Sequence, residues 1–161
     1  QIADQQVFGV LTKPSKTGIF PIIIGVAGSA GWGEHHYGYL ERYLEMGFAV
    51  FSLHSFKSRN VESTVGEQLT VTIPMMIHDA FMALNKLAQN KNIDASRAGL
   101  TGWSLGGGVA LFSGWSPIQE AISPNFSPTP LFGRFYLDFR KKRRVDLQLL
   151  ASRIPVWIRC G

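Results

Sequence analysis

The apolar positions along the chain fall into alternating short runs and helical stripes. Ile22 to Val26, in "PIIIGVAG", is β-branched and apolar at nearly every position. Such a run predicts a central strand covered on both faces. Before it, "VFGVLTKPSKTGIF" reads as an edge strand, a Pro/Ser/Gly turn and a lead-in. After it, the Gly-rich "GSAGWGEHH" precedes "YGYLERYLEMG", which has Tyr39, Leu40, Tyr43 and Leu44 on one helical face and Gly47 as its stop. "FAVFSLHSF" is the next strand, and the polar stretch 61–72 is a loop. Pro74 then suits a first helical turn, and Ile73, Ile77, Ala80, Leu84, Leu87 and Ala88 form a helical stripe. "AGLTG" is a short strand, and a helix opens after Ser104. The order strand, helix, strand, helix, strand, helix predicts a three-layer α/β fold with a mostly parallel sheet.

The text changes after Gly114. Pro117, Pro124, Pro128 and Pro130 lie among serines in a loop-like stretch. "FGRFYLDF" alternates like a strand, "RKKRR" interrupts it, "RVDLQLLAS" suits a helix, and "IPVWIRC" reads as a strand. The whole chain, 1–161, is expected to form one partial domain with 115–161 as its irregular region.

The chemistry concentrates at the third strand-to-helix junction. Gly102-Trp103-Ser104-Leu105-Gly106 fits G-x-S-x-G. In this turn the serine takes a strained backbone conformation so that its Oγ stands clear of the sheet. Side chains two before and two after it would collide with the turn, which favours glycine at both places. The helix N-terminus adds partial positive charge beside a developing oxyanion. The bare pattern arises by chance in about one chain in twenty of this size, so its strand and helix context carries the reading. Gly107 and Gly108 are expected to let the helix approach neighbouring backbone. A glycine-rich helix cap with a capping serine is the alternative.

The second half of an oxyanion hole would come from "GVAGSAGWG" after the central strand. The backbone N–H groups of Leu105 and Ser29 are the expected donors, with Ala30 competing for the second role. Gly25, Gly28, Gly31 and Gly33 also invite a dinucleotide reading, but that needs a carboxylate at the end of the next strand. "FSLHSF" offers His54 instead. Trp32 and Trp103 suit either the walls of an acyl pocket or core packing.

Composition narrows the classes. The net charge of +5 belongs to the end of the chain: positions 134–161 hold eight Lys/Arg and two Asp/Glu, the rest eight and nine. The high pI therefore gives little support to a nucleic-acid partner, and "RKKRR" reads as a solvated cluster, with a polyanion or targeting role or a frame artefact as alternatives. Cys160 is the one cysteine, which excludes an internal disulfide and a cysteine-based metal site. The longest apolar run is too short to span a bilayer.

"FPIIIGVAGSAG", "YLEMGFAVFSLHSF" and "IPMMIHDAFMALNKLAQNKNIDASRAGLTGWSLGGGVALF" together resemble the dienelactone hydrolase family of α/β-hydrolases, in its serine-bearing branch. The resemblance runs from about Val7 to Phe126, with an echo in "RIPVWIRCG". It implies hydrolysis of a small ester or lactone through an acyl-enzyme on Ser104, without metal or organic cofactor, by a cytoplasmic protein acting on a small molecule rather than on nucleic acid or a membrane.

Two motifs depart from the family. Ala27-Gly28 stands where relatives often have His-Gly, and "LHSF" replaces "PDSF". The triad departs further. Family order is nucleophile, acid, histidine, yet His35, His36, His54 and His78 all precede Ser104. His35 and His36 are expected to make helix-start or substrate contacts, with catalysis as the alternative; His78 is expected on the exposed side of its helix. Asp138 and Asp146 satisfy the order for the acid but sit in the irregular basic region. The acid normally follows the strand that "IPVWIRCG" resembles. The expectation is a domain incomplete at its C-terminus, with acid and histidine beyond Gly161, or a reading frame that changes after about residue 126. A non-catalytic binding module of the same fold is the rival reading.

Overall fold

A computed structural model describes residues 5–122 and 152–160. Five strands, β1 (Gln5–Lys13), β2 (Phe20–Val26), β3 (Ala49–Leu53), β4 (Ile93–Gly102) and β5 (Ser152–Cys160), form one sheet in the order β4-β2-β3-β1-β5. β2 pairs in parallel with both β3 and β4, while β1 runs antiparallel to β3 and β5. The sheet is thus parallel across its β4-β2-β3 half and antiparallel beyond. Helices α1 (Glu34–Glu45), α2 (Ile73–Leu87), α3 (Leu105–Ser113) and α4 (Ser116–Ile122) complete the described elements.

β2 explains why the fold has three layers. Ile22, Ile24 and Val26 face one core with Phe51, Leu53 and the α2 residues Met76, Ile77, Ala80 and Leu84. Ile23 faces a second, smaller core with Leu40 and Val50, flanked by Trp32, Tyr43, Leu44 and Trp103. A strand covered on both faces needs apolar side chains at successive positions, which is what "IIIGV" supplies. α1 covers one face; α2 and α3 cover the other.

Capping residues set the helix ends. Thr72 caps α2 by accepting from Met75 N, and Pro74 stands in the first turn where its missing N–H costs nothing. α1 starts at Glu34, before the predicted stripe, because His36 Nδ1 accepts from Gly33 N (2.9 Å). It ends before Gly47, whose φ of +93 suits the glycine that the sequence places there.

Several expectations are corrected. β1 is internal, since β5 pairs along its whole length from Gln5↔Cys160 to Lys13↔Ser152. β4 is longer than "AGLTG", because Ile93 and Asp94 already pair with Phe20 and Pro21 before a bulge. Ala88 is exposed as the cap of α2 instead of extending its buried stripe. His78 is half-buried rather than exposed. Pro117 lies in the first turn of α4, where proline is tolerated, and not in a loop. The predicted strand "FGRFYLDF", the helix "RVDLQLLAS", "RKKRR", Asp138 and Asp146 lie outside the described residues.

Candidate active site

Ser104 stands between β4 and α3 with φ 51° and ψ −114°. A non-glycine residue rarely takes a positive φ, and holding one there costs about 1–3 kcal/mol. The residue is exposed, and its side chain makes no cap bond to α3. The glycine-cap alternative, which needs a capping serine, is therefore not the geometry found.

The flanking glycines are explained by contact. A Cβ on Gly102 would run into the Gly106 carbonyl and approach Gly107 N to 2.8 Å. A Cβ on Gly106 would strike the Val26 carbonyl and reach Ala27 O at 2.6 Å. The turn at Ser104 is thus packed on itself and on the end of β2, with Trp103 N donating to Val26 O (3.3 Å) and Gly106 N to Trp103 O (2.9 Å). The expectation for Gly107 and Gly108 is corrected. A Cβ on Gly107 would meet only Gly102 O at an ordinary 3.5 Å, and one on Gly108 would meet the Ile73 side chain at 3.3 Å. Gly106 alone of the three makes the close backbone approach.

The loop after β2 lies against this turn. A Cβ on Gly28 would sit 3.1 Å from Trp103 O and 3.4 Å from Ser104 Cβ. The loop is tightened by Gly31 N donating to Gly28 O (2.9 Å) and is fixed from outside by Thr64 N donating to Ser29 O (2.8 Å). Leu105 opens α3, and first-turn N–H groups of a helix have no intrahelical partner. Gly28, next to Ser29, and Leu105, next to Ser104, thus both lie beside the serine.

Trp32 and Trp103 meet edge to face with ring centroids 5.9 Å apart. Trp32 Nε1 donates to Leu53 O (2.9 Å), tying the loop to the end of β3. The His36 ring lies 4.7 Å from Trp103 and 5.6 Å from Trp32. Both tryptophans flank the smaller core, so they pack; Trp32 also lines a cavity of about 570 Å³ with Ala27, Ala30, His54, Ser55 and Phe56.

No histidine reaches the serine: all four are described, and none is hydrogen-bonded to Ser104. His36 holds the start of α1, as a helix-start contact. Burial, with His35 beside it, lowers its pKa to about 4. His54 Nε2 lies 3.3 Å from Ser52 Oγ, and burial, reinforced by Lys57, lowers His54 to about 4 as well. Both rings are neutral at pH 7. β5 lies at the opposite edge of the sheet from β4. Its last residue pairs with Gln5 at the far side of the sheet, four strands from β4. At about 4.8 Å per strand that is roughly 19 Å, too far for an acid directly after it to serve Ser104.

The sequence reading missed a buried ion pair. Arg59 donates to both Asp79 oxygens (2.7 and 2.9 Å) and to Ser55 O (2.9 Å), with Asp79 fully buried. It fastens the loop after β3 to α2 beside the cavity. The signal was a carboxylate on the buried face of α2 between Met76 and Ala83, which demands a cation; the sequence does not say which one.

No family model matches the chain, and no curated protein matches it in sequence. Solved structures do. A protein described as a dienelactone hydrolase, from Klebsiella pneumoniae, superposes with a TM-score of 0.57 at 18% identity, over 67% of this chain and 48% of its own. An acetyl xylan esterase from a Paenibacillus species gives 0.51 at 20% identity, over 67% and 40%. A protein described as a carboxylesterase, from Lactobacillus plantarum, gives 0.50 at 18%, over 71% and 48%. The chain has the α/β-hydrolase type of fold, and it spans about half the length of these structures or less. Among the described residues no helix is long and apolar enough to cross a membrane.

Proposed function

We propose that Ser104 is the nucleophile of a serine-dependent hydrolase of small esters or lactones, of the dienelactone hydrolase type. The observation that carries the reading is the strained, exposed Ser104 at the head of α3, with Gly28 of the β2 loop against it. In this reading Oγ gives its proton to a histidine base and bonds to the carbonyl carbon. The carbonyl π electrons move onto oxygen, which the Leu105 and Ser29 N–H groups hold, with Ala30 as the alternative to Ser29. Collapse expels the alcohol oxygen, which takes the proton from histidine, and water then releases the acid by the same route. Trp32 and Trp103 border the acyl group. In this reading the base and its acid partner are not among the described residues, and the chain matches about half of the structure it resembles. The site calls for no metal or organic cofactor, and its location is cytoplasmic. Fluorophosphonate labelling of the chain beside Ser104→Ala tests the assignment.

One observation favours a second reading, a non-catalytic module of the same fold. Among the described residues nothing hydrogen-bonds to Ser104 Oγ, and an unassisted hydroxyl is a poor nucleophile. A folded chain without Ser104-dependent labelling supports that reading.

A further inference from the structure

The polar stretch 61–72 braces its own backbone. Glu67 accepts from Leu69 N (2.8 Å) and Thr70 N (3.0 Å), and Thr64 O accepts from Glu67 N and Gln68 N, both at 3.2 Å. Val65 N donates to Ser63 Oγ (3.1 Å), and Thr64 is fully buried.

This stretch reaches the loop beside Ser104. Gly28 to Gly31 is a tight turn, closed by Gly31 N donating to Gly28 O (2.9 Å), and Ser29–Ala30 is its central peptide. Ser29 O, the carbonyl of that peptide, accepts twice, from Thr64 N (2.8 Å) and from Ser63 Oγ (3.1 Å). The two segments fit closely, since a Cβ on Gly31 would stand 3.2 Å from Glu62 O. A trans peptide is planar, with its C=O and N–H pointing opposite ways. Two donors on Ser29 O therefore also fix the Ala30 N–H, on the side away from Ser63 and Thr64. The central peptide is the one whose orientation distinguishes the common turn types. Turning it over here would exchange a donor for a carbonyl oxygen, which repels an oxyanion.

We infer that Ser63 and Thr64 are positioning residues for the Ser104 reaction: by holding Ser29 O they keep the Ser29–Ala30 peptide from turning over, so that the turn offers the oxyanion its N–H groups and not the Ser29 carbonyl. The role in the reaction rests on the reading of Ser104 as nucleophile; the hold on Ser29 O does not. Preorganised donors act where charge develops, without reorganising as it does so. The hold therefore acts on the bond-forming step and not on how tightly a reagent first binds.

Ser63 is exposed, so it can be changed without disturbing the core. Ser63→Ala removes one of the two donors to Ser29 O. Ser63→Asp keeps an acceptor for Val65 N but sets a carboxylate against Ser29 O, which favours turning the peptide over. Ser63→Thr keeps the hydroxyl. Fluorophosphonate labelling of Ser104, with imidazole as added base, is followed over a range of probe concentrations in the parent and the three folded variants, beside the Ala30 and Leu105 amide signals by NMR. The maximal labelling rate is expected to fall about fivefold in Ser63→Ala, as one hydrogen bond is worth, and at least about tenfold in Ser63→Asp. It stays near the parent's in Ser63→Thr, and the half-saturating probe concentration is unchanged throughout. The Ala30 amide signal moves in the same order while that of Leu105 holds still. Equal maximal rates in all folded variants overturn the role, as does a loss confined to the half-saturating concentration, or a Ser63→Thr that falls as far as Ser63→Ala. An Ala30 signal unmoved in Ser63→Asp overturns the hold on the peptide. A parent chain that is never labelled instead refutes the nucleophile reading, and the positioning role with it; the Ala30 signal alone then decides the hold.

Discussion

Gly106 rests directly on the Val26 carbonyl, leaving no room for a side chain between α3 and the end of β2. This contact, with the matching one of Gly102 on Gly106, holds Ser104 in its left-handed turn. Gly106→Ala or Gly102→Ala forces backbone apart and is expected to destabilise the chain by about 3 kcal/mol or more. Gly107→Ala meets ordinary contact and removes a helix glycine, so it is expected to be neutral or to stabilise by about 0.5–1 kcal/mol. Urea denaturation of the three variants measures the contrast. Equal effects at positions 102, 106 and 107 contradict the packing described.

The Arg59–Asp79 pair makes a different prediction. Asp79 is fully buried and accepts two bonds from Arg59. Removing one partner strands the other charge, so Asp79→Ala is expected to cost about 3–5 kcal/mol. Replacing both with apolar residues, Arg59→Met with Asp79→Leu, is expected to recover much of that loss, although Ser55 O then loses its donor. Thermal melts of the single and double variants read this out. A double variant that loses the sum of both singles contradicts it.

Stability is also expected to depend on pH through two histidines. His36 and His54 titrate near 4 in the folded chain against 6.5 for an ordinary histidine. Between these values the unfolded chain binds more protons, so stability is complete above about pH 6.5. It falls as the pH drops toward 4, by roughly 2 kcal/mol after allowance for solvent screening. Denaturation midpoints from pH 7 to 4 test this. His54→Gln is expected to reduce the slope, and an identical slope in that variant contradicts the assignment to His54.

Much of the fold was legible because local pattern and burial agree there. The both-face burial of Ile22–Val26 is written in a run of β-branched residues, and Thr72-Ile73-Pro74 marks the start of α2. The tight turn at Ser104 was legible because backbone clash dictates glycine at positions 102 and 106. What stayed hidden depends on partners distant in sequence. Nothing in "VFGVLTK" says that a strand 145 residues away will flank it, because strand pairing is set by tertiary fit. Asp79 announces that it needs a cation without naming Arg59. Ser55 looks like any serine in a turn until burial removes its partners.

The most direct test concerns Ser104 itself. The folded chain and Ser104→Ala are incubated with a fluorophosphonate, with and without imidazole to stand in for a histidine base, and the adduct is mapped by mass spectrometry. The expected result is one adduct on Ser104, formed at least about tenfold faster with imidazole and absent from Ser104→Ala. A folded chain that stays unlabelled, or is labelled equally in Ser104→Ala, contradicts the assignment of Ser104 as nucleophile.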